Sequence, residues 1–175
     1  MAGSLIKIDE EIVTSAVASV TLGGSDWDSS YDVYMVKMNN AQTVSDTAFF
    51  ARFTESGTPN SLTSYDWAYK YFKADTSFAN YNNSNQNYIP LTTTNESSLG
   101  NANGVFYIFN ANNSGEYTFL TGEETHIQGG TTTVRGIQGG ATFKQASSVD
   151  GINIFANSGN IASGQFVLYG RWKHT

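Results

Sequence analysis

The chain contains no cysteine. That excludes a small disulfide-stapled secreted scaffold and is compatible with assembly in a reducing cytoplasm. At 175 residues staples are not required, because a chain of this length typically buries roughly 70% of its extended surface on folding. Charge is scarce as well. Only 14% of the residues are Asp, Glu, Lys or Arg, against about a quarter in an average soluble chain. The basic residues Lys7, Lys37, Arg52, Lys70, Lys73, Arg135, Lys144, Arg171 and Lys173 do not cluster. Nucleic-acid binding needs a basic stripe, so no nucleic-acid partner is expected. No apolar run approaches the roughly 20 residues that cross a bilayer. The opening MAGSLIKIDEE has neither a basic nor an apolar signal region, so no Sec-type leader and no membrane partner are expected.

Ser, Thr, Asn and Gly stand where charge is missing. They are poor helix formers that favour turns, caps and, for Thr, strands. Candidate strands follow in quick succession at 4–8, 11–22, 31–38, 47–54, 64–74, near 88–92, 104–111 and 116–122. In 64–74, Tyr65, Trp67, Tyr69 and Tyr71 share one face and Asp66, Ala68, Lys70 and Phe72 the other, which favours a strand over a helix. The Asn-rich stretch 78–90 reads mostly as loop. Asn112-Asn113-Ser114-Gly115 is a good hairpin turn because Asn and Gly tolerate positive φ. The Thr/Gly-rich segment 125–146 is expected to hold two short strands bent at Gly129-Gly130 and Gly139-Gly140.

The closing run Asp150 to Lys173 reads as strand, turn, strand. Ile152, Ile154 and Ala156 alternate with Asn153, Phe155 and Asn157, and Ser158-Gly159-Asn160 supplies the turn. Phe166, Leu168, Gly170 and Trp172 then fall on one face. The pattern predicts a final antiparallel hairpin with Phe166, Leu168 and Trp172 in the core. About ten strands with regular turn signals and no clear helix predict one all-β domain over 1–175, an antiparallel two-sheet sandwich, jelly-roll-like.

Chemistry is sparse. His126 and His174 are the only histidines, too few for a typical zinc site, and no cofactor is expected. The run Asp26-Trp27-Asp28 with Asp32 lacks the Gly and Glu of an EF-hand and reads as Asx-turns. No cysteine nucleophile and no G-x-S-x-G elbow occur, and two poorly placed histidines make a catalytic triad improbable. Glu123 and Glu124 are adjacent and would point to opposite faces of a strand. An enzyme is therefore not expected. Three sequons, at Asn82, Asn95 and Asn112, read as turn asparagines. The aromatics Trp27, Tyr81 and Tyr88 lie in or beside polar loops. They are the candidate binding residues, able to stack on a sugar ring or anchor a protein partner. For any one of them, lying flat over the edge of the core is the commoner arrangement.

The sequence YDVYMVKMNN, ARFTESGT, YDWAYKY, GVFYIFNA, GGATF and DGINIFANSGNIASGQFVLYG, in that order, resembles a group of small virion structural proteins of tailed bacteriophages, especially marine ones. The segment Ser158 to Gly170 is its most specific part. The resemblance spans nearly the whole chain and implies a β-sandwich and a place in the virion, assembled in a bacterial host cytoplasm. It carries no catalytic motif. One reading is a capsid decoration or cement protein, a homo-oligomer with a trimer favoured, whose partner is the major capsid protein. The other is a tail fibre or appendage module that binds a host-surface glycan or receptor.

Overall fold

The computed structural model describes residues 5–75, 78–95, 98 and 100–172. The elements are β1 (Leu5–Val13), β2 (Ser19–Gly23), a 3-10 turn (Gly24–Asp26), β3 (Tyr31–Thr43), β4 (Phe49–Glu55), β5 (Thr58–Pro59), β6 (Tyr65–Lys73) and β7 (Ala79–Gln86), followed by β8 (Ile89–Pro90), β9 (Ala102–Phe109), β10 (Thr118–Ile127), β11 (Val134–Phe143), β12 (Gly151–Ala156) and β13 (Ile161–Trp172). They form two antiparallel sheets. The larger has the order β1-β13-β3-β9-β10-β11-β6-β7, and the smaller β2-β12-β4-β5 with β8 added beside β4. The chain is a two-sheet antiparallel sandwich.

The core fills by simple alternation. Phe106 and Ile108 of β9 are fully buried while Tyr107 and Phe109 face outward. Tyr65, Trp67 and Tyr69 of β6 are buried, with Tyr71 half-buried at the rim. The small sheet answers with Phe49, Ala51, Phe53, Ile152 and Ile154, none of which keeps any exposed surface. Aromatic rings interlock across the gap, with Phe49 against Phe166 and Phe53 against Tyr65 and Phe143.

The closing segment is not a hairpin. β12 pairs with β2 and β4 in the small sheet, whereas β13 pairs with β1 and β3 in the large one. Four residues, Asn157 to Asn160, carry the chain across the core. At about 3.3 Å per residue they can bridge sheets about 10 Å apart. Gly159 makes the corner in the left-handed region at φ 74. Both strands are rich in large apolar side chains, and an arch lets Ile152 and Ile154 face Phe166 and Leu168 through the core. A hairpin would have set them side by side in one sheet.

The expected single strand over 11–22 is divided in the same way. β1 ends at Val13 and β2 begins at Ser19 in the other sheet. The two crossings run side by side and are tied by a reciprocal pair of backbone bonds between Val17 and Ile161, at 3.0 and 2.9 Å.

Three further expectations are corrected. The Asn-rich stretch is a strand, β7, paired along β6 from Tyr71↔Ala79 to Tyr65↔Gln86. Asn has low strand propensity, but pairing with β6 and the Trp67–Tyr81 ring contact override it. β11 runs unbroken through Gly139-Gly140, and β10 extends to Ile127. A Cβ on Gly139 would stand 2.3 Å from the Ala68 carbonyl oxygen, so this glycine permits close strand approach rather than a bend. Trp172 is not core: it is 45% exposed and leans on Tyr31 at 5.0 Å. β13 ends at this residue, and its last two positions are exposed.

Candidate functional site

The three loop aromatics do not form one site. Trp27 is 5% exposed and stacks on Tyr34, with ring centroids 3.9 Å apart and planes 11° apart. Tyr34 is pinned in turn by its hydroxyl, which donates to the Asp28 carbonyl and accepts 2.7 Å from the Asn112 amide. Burial pushes the Tyr34 phenol up to about 12. Tyr81 and Tyr88 are brought together elsewhere, both against Trp67, at 4.6 and 6.2 Å. Tyr88 also stacks on Phe50 at 4.0 Å. Trp27 belongs to the core itself, and Tyr81 and Tyr88 pack against it.

The surface that does stand open lies on the outer face of the large sheet. Tyr107 and Phe109 of β9, Phe119 of β10 and the preceding Tyr117 are between 36% and 46% exposed. Phe109 and Phe119 are direct cross-strand partners. Beside them a groove of about 720 Å³ crosses β11 and β6 to the edge strand β7. Phe109 and Phe119 form one wall, Gly140 and Ala68 the shallow floor, and Asn82, Asn83 and Ser84 the far wall. Asp66, the charged residue lining it, is neutralised by Lys144 at 2.8 Å, a pairing that holds its carboxyl below the usual range. The sequence gives the alternation from which these aromatics follow. It does not show that the opposite face of β9 is buried and this one free.

A second arrangement is buried and polar. Glu124 and His126 are two apart on β10, so both point into the sandwich, and they are 2% and 3% exposed. His126 Nδ1 lies 2.8 Å from Glu124 Oε2, and His126 Nε2 lies 3.1 Å from the Thr93 hydroxyl. Arg135, the cross-strand partner of His126 on β11, donates from Nη1 to the same hydroxyl at 3.4 Å and lies over the Tyr71 ring. Burial pushes the Glu124 carboxyl up, opposed by its bond to His126. The expectation that the histidines are poorly placed for a nucleophile-base-acid chain is thus corrected for His126. Thr93 lies 33 residues away in sequence and meets it only because the 91–95 crossing folds over the inner face of β10. His174 lies outside the described residues.

The remaining polar candidates are structural in their contacts. Asp28 accepts from the Ser30 amide at 2.7 Å in an Asx-turn, and Asp32 pairs with Arg171 at 2.6 Å. Among the described residues no group of three His, Asp or Glu side chains is placed to hold a metal ion. Asn95 is fully buried, while Glu96 and Ser97 of its sequon lie outside the described residues.

No protein family, curated protein or solved structure matches this chain.

Proposed function

We propose that the chain is a non-enzymatic structural subunit of a phage particle, a capsid decoration or cement protein that binds the major head protein and associates with copies of itself, as a trimer. The observation that carries this reading is the outward aromatic row Tyr107, Phe109, Tyr117 and Phe119. Aromatic residues are enriched in protein interfaces, and Trp and Tyr are enriched among their hot spots. Three of them on two adjacent strands of one sheet, with Tyr117 just before β10, form a preorganised docking face. The resemblance of Ser158–Gly170 to phage virion proteins supplies the setting. Cryo-EM of purified particles tests the location: density at the head lattice is expected, and density confined to the tail would overturn it.

The appendage reading is favoured by a different observation, the neutral groove between Phe119 and the Asn82–Ser84 wall. An aromatic wall facing amides and hydroxyls suits a sugar ring. Host-cell adsorption of the isolated protein, competed by surface polysaccharide, distinguishes the two readings.

A further inference from the structure

The buried chain of Glu124, His126 and Thr93 has the geometry of an activated nucleophile. Glu124 Oε2 accepts from His126 Nδ1 at 2.8 Å, which leaves Nε2 as the acceptor for the Thr93 hydroxyl at 3.1 Å. This is a nucleophile within hydrogen-bond reach of its base, and a base oriented by a third group. Arg135 adds a positive charge beside the same oxygen, 3.4 Å away. Thr93, His126 and Glu124 are all buried, so no dissolved substrate reaches the hydroxyl. Any acceptor of the nucleophile belongs to the chain itself.

Two carboxamides stand nearby with an unused carbonyl. Asn95 Oδ1 and Gln128 Oε1 are both buried and have no hydrogen-bond partner. Asn95 pairs with Gln128 in a β-bridge, and Gly129 N donates to Thr94 O at 3.1 Å, so the Thr93–Asn95 segment lies directly against Gln128. Gln128 directly follows Ile127, the last residue of β10, and its backbone is bridged to Asn95. The Asn95 amide is held by its bond to the Thr43 hydroxyl at 3.3 Å, and an ester to its near neighbour Thr93 would close only a small, strained ring.

We propose that Thr93 and Gln128 react to form an intramolecular ester, a covalent staple in a chain without cysteine. His126 Nε2 takes the Thr93 hydroxyl proton as Oγ1 attacks Gln128 Cδ. The charge gathers on Oε1. The Cδ–Nε2 bond of Gln128 then breaks, and its nitrogen leaves with the proton from His126 as ammonia. The new bond is Thr93 Oγ1 to Gln128 Cδ, no oxidant is consumed, and exclusion of water preserves the ester. The staple would join the 91–95 crossing to the end of β10, locking a connection between the two sheets. It is a single-turnover maturation of the fold and is independent of where the protein sits on a particle.

Intact-mass spectrometry of the full-length folded protein, held at neutral pH and then denatured, tests it. The expected result is a mass below that of the sequence by one ammonia, about 17 Da, as loss of the amide nitrogen on acyl transfer requires. Proteolysis should release a peptide pair joined through Thr93 and Gln128, separated by hydroxylamine. Thr93→Ser should retain the shift, whereas Thr93→Val and Gln128→Leu should restore the full sequence mass. An unshifted wild-type mass would overturn the proposal, whatever the variants do. So would a shift that maps to a succinimide at Asn103-Gly104 or to a Thr93–Asn95 link.

Discussion

Replacing Trp27 with alanine separates a core residue from a surface anchor. Trp27 is 5% exposed and stacked on Tyr34. Truncating a buried Trp to Ala costs about 3–5 kcal/mol, of which the ring stack contributes about 0.5–1.5 kcal/mol. A solvated loop aromatic would change stability by no more than about 0.5 kcal/mol. Against a total stability of about 5–15 kcal/mol, the expected loss is a large fraction. At about 2–4 °C per kcal/mol for a chain of this size, the midpoint should fall by roughly 10 °C. Trp27→Phe is the control. Its smaller ring keeps much of the stack and removes an indole N–H that is buried without a partner. Alanine removes that N–H as well, so the difference between the two variants is the retained ring, and Trp27→Phe should be milder than Trp27→Ala by about 2 kcal/mol. Urea unfolding followed by far-ultraviolet circular dichroism gives both numbers. A Trp27→Ala loss under about 1 kcal/mol with an unchanged denaturant slope would refute the placement of Trp27 in the core.

Other outcomes follow from the same contacts. Gly136→Ala should destabilise by about 1–3 kcal/mol through overpacking, because its Cβ would stand 2.2 Å from the Glu124 carbonyl oxygen and 2.4 Å from the Phe72 ring; wild-type stability in that variant would contradict the β10–β11–β6 register. The double variant Phe109→Ser, Phe119→Ser should keep the melting temperature within a few degrees and lower binding to undecorated heads at least tenfold, about 1.4 kcal/mol, measured by sedimentation; unchanged binding removes this face from the interface. Glu124 titrates higher in the fold than its ordinary 4.5, so the folded state holds the proton more tightly than the unfolded chain. Its contribution is fully present below the unfolded carboxyl range and is lost as pH rises through the folded-state titration. Urea midpoints across this range should therefore fall with pH more steeply in wild type than in Glu124→Gln, and parallel profiles would show that Glu124 does not titrate as its burial requires.

The proposed particle role and the proposed ester bear on one physical problem. A sandwich that decorates a capsid has to hold its shape without disulfides, and this chain has no thiol to offer. The polar cluster at the sheet crossing costs desolvation that an apolar cluster of similar shape would avoid. A covalent product at Thr93 would give that cost a function.

The sequence by itself determined the all-β class and most of the inward faces. Alternation at period two is a local property of the strand backbone, so Tyr65, Trp67 and Tyr69, or Phe106 and Ile108, can be assigned to the core one strand at a time. The opposed fates of Glu123 and Glu124, exposed and buried, follow from the same rule. Sheet membership was not legible, because a short polar link reads the same whether the chain doubles back or crosses the core. Hence Asp150–Lys173 looked like a hairpin and became an arch, 11–22 looked like one strand and became two, and an Asn-rich loop became an edge strand on finding β6. The candidate sites divide along the same line. Trp27, Tyr81 and Tyr88 could be picked out as aromatics near loops, but only packing decided that each lies in or against the core. Thr93, His126 and Arg135 carry no shared motif, since their meeting depends on the 91–95 crossing folding over β10. Tertiary structure alone sets that long-range closure.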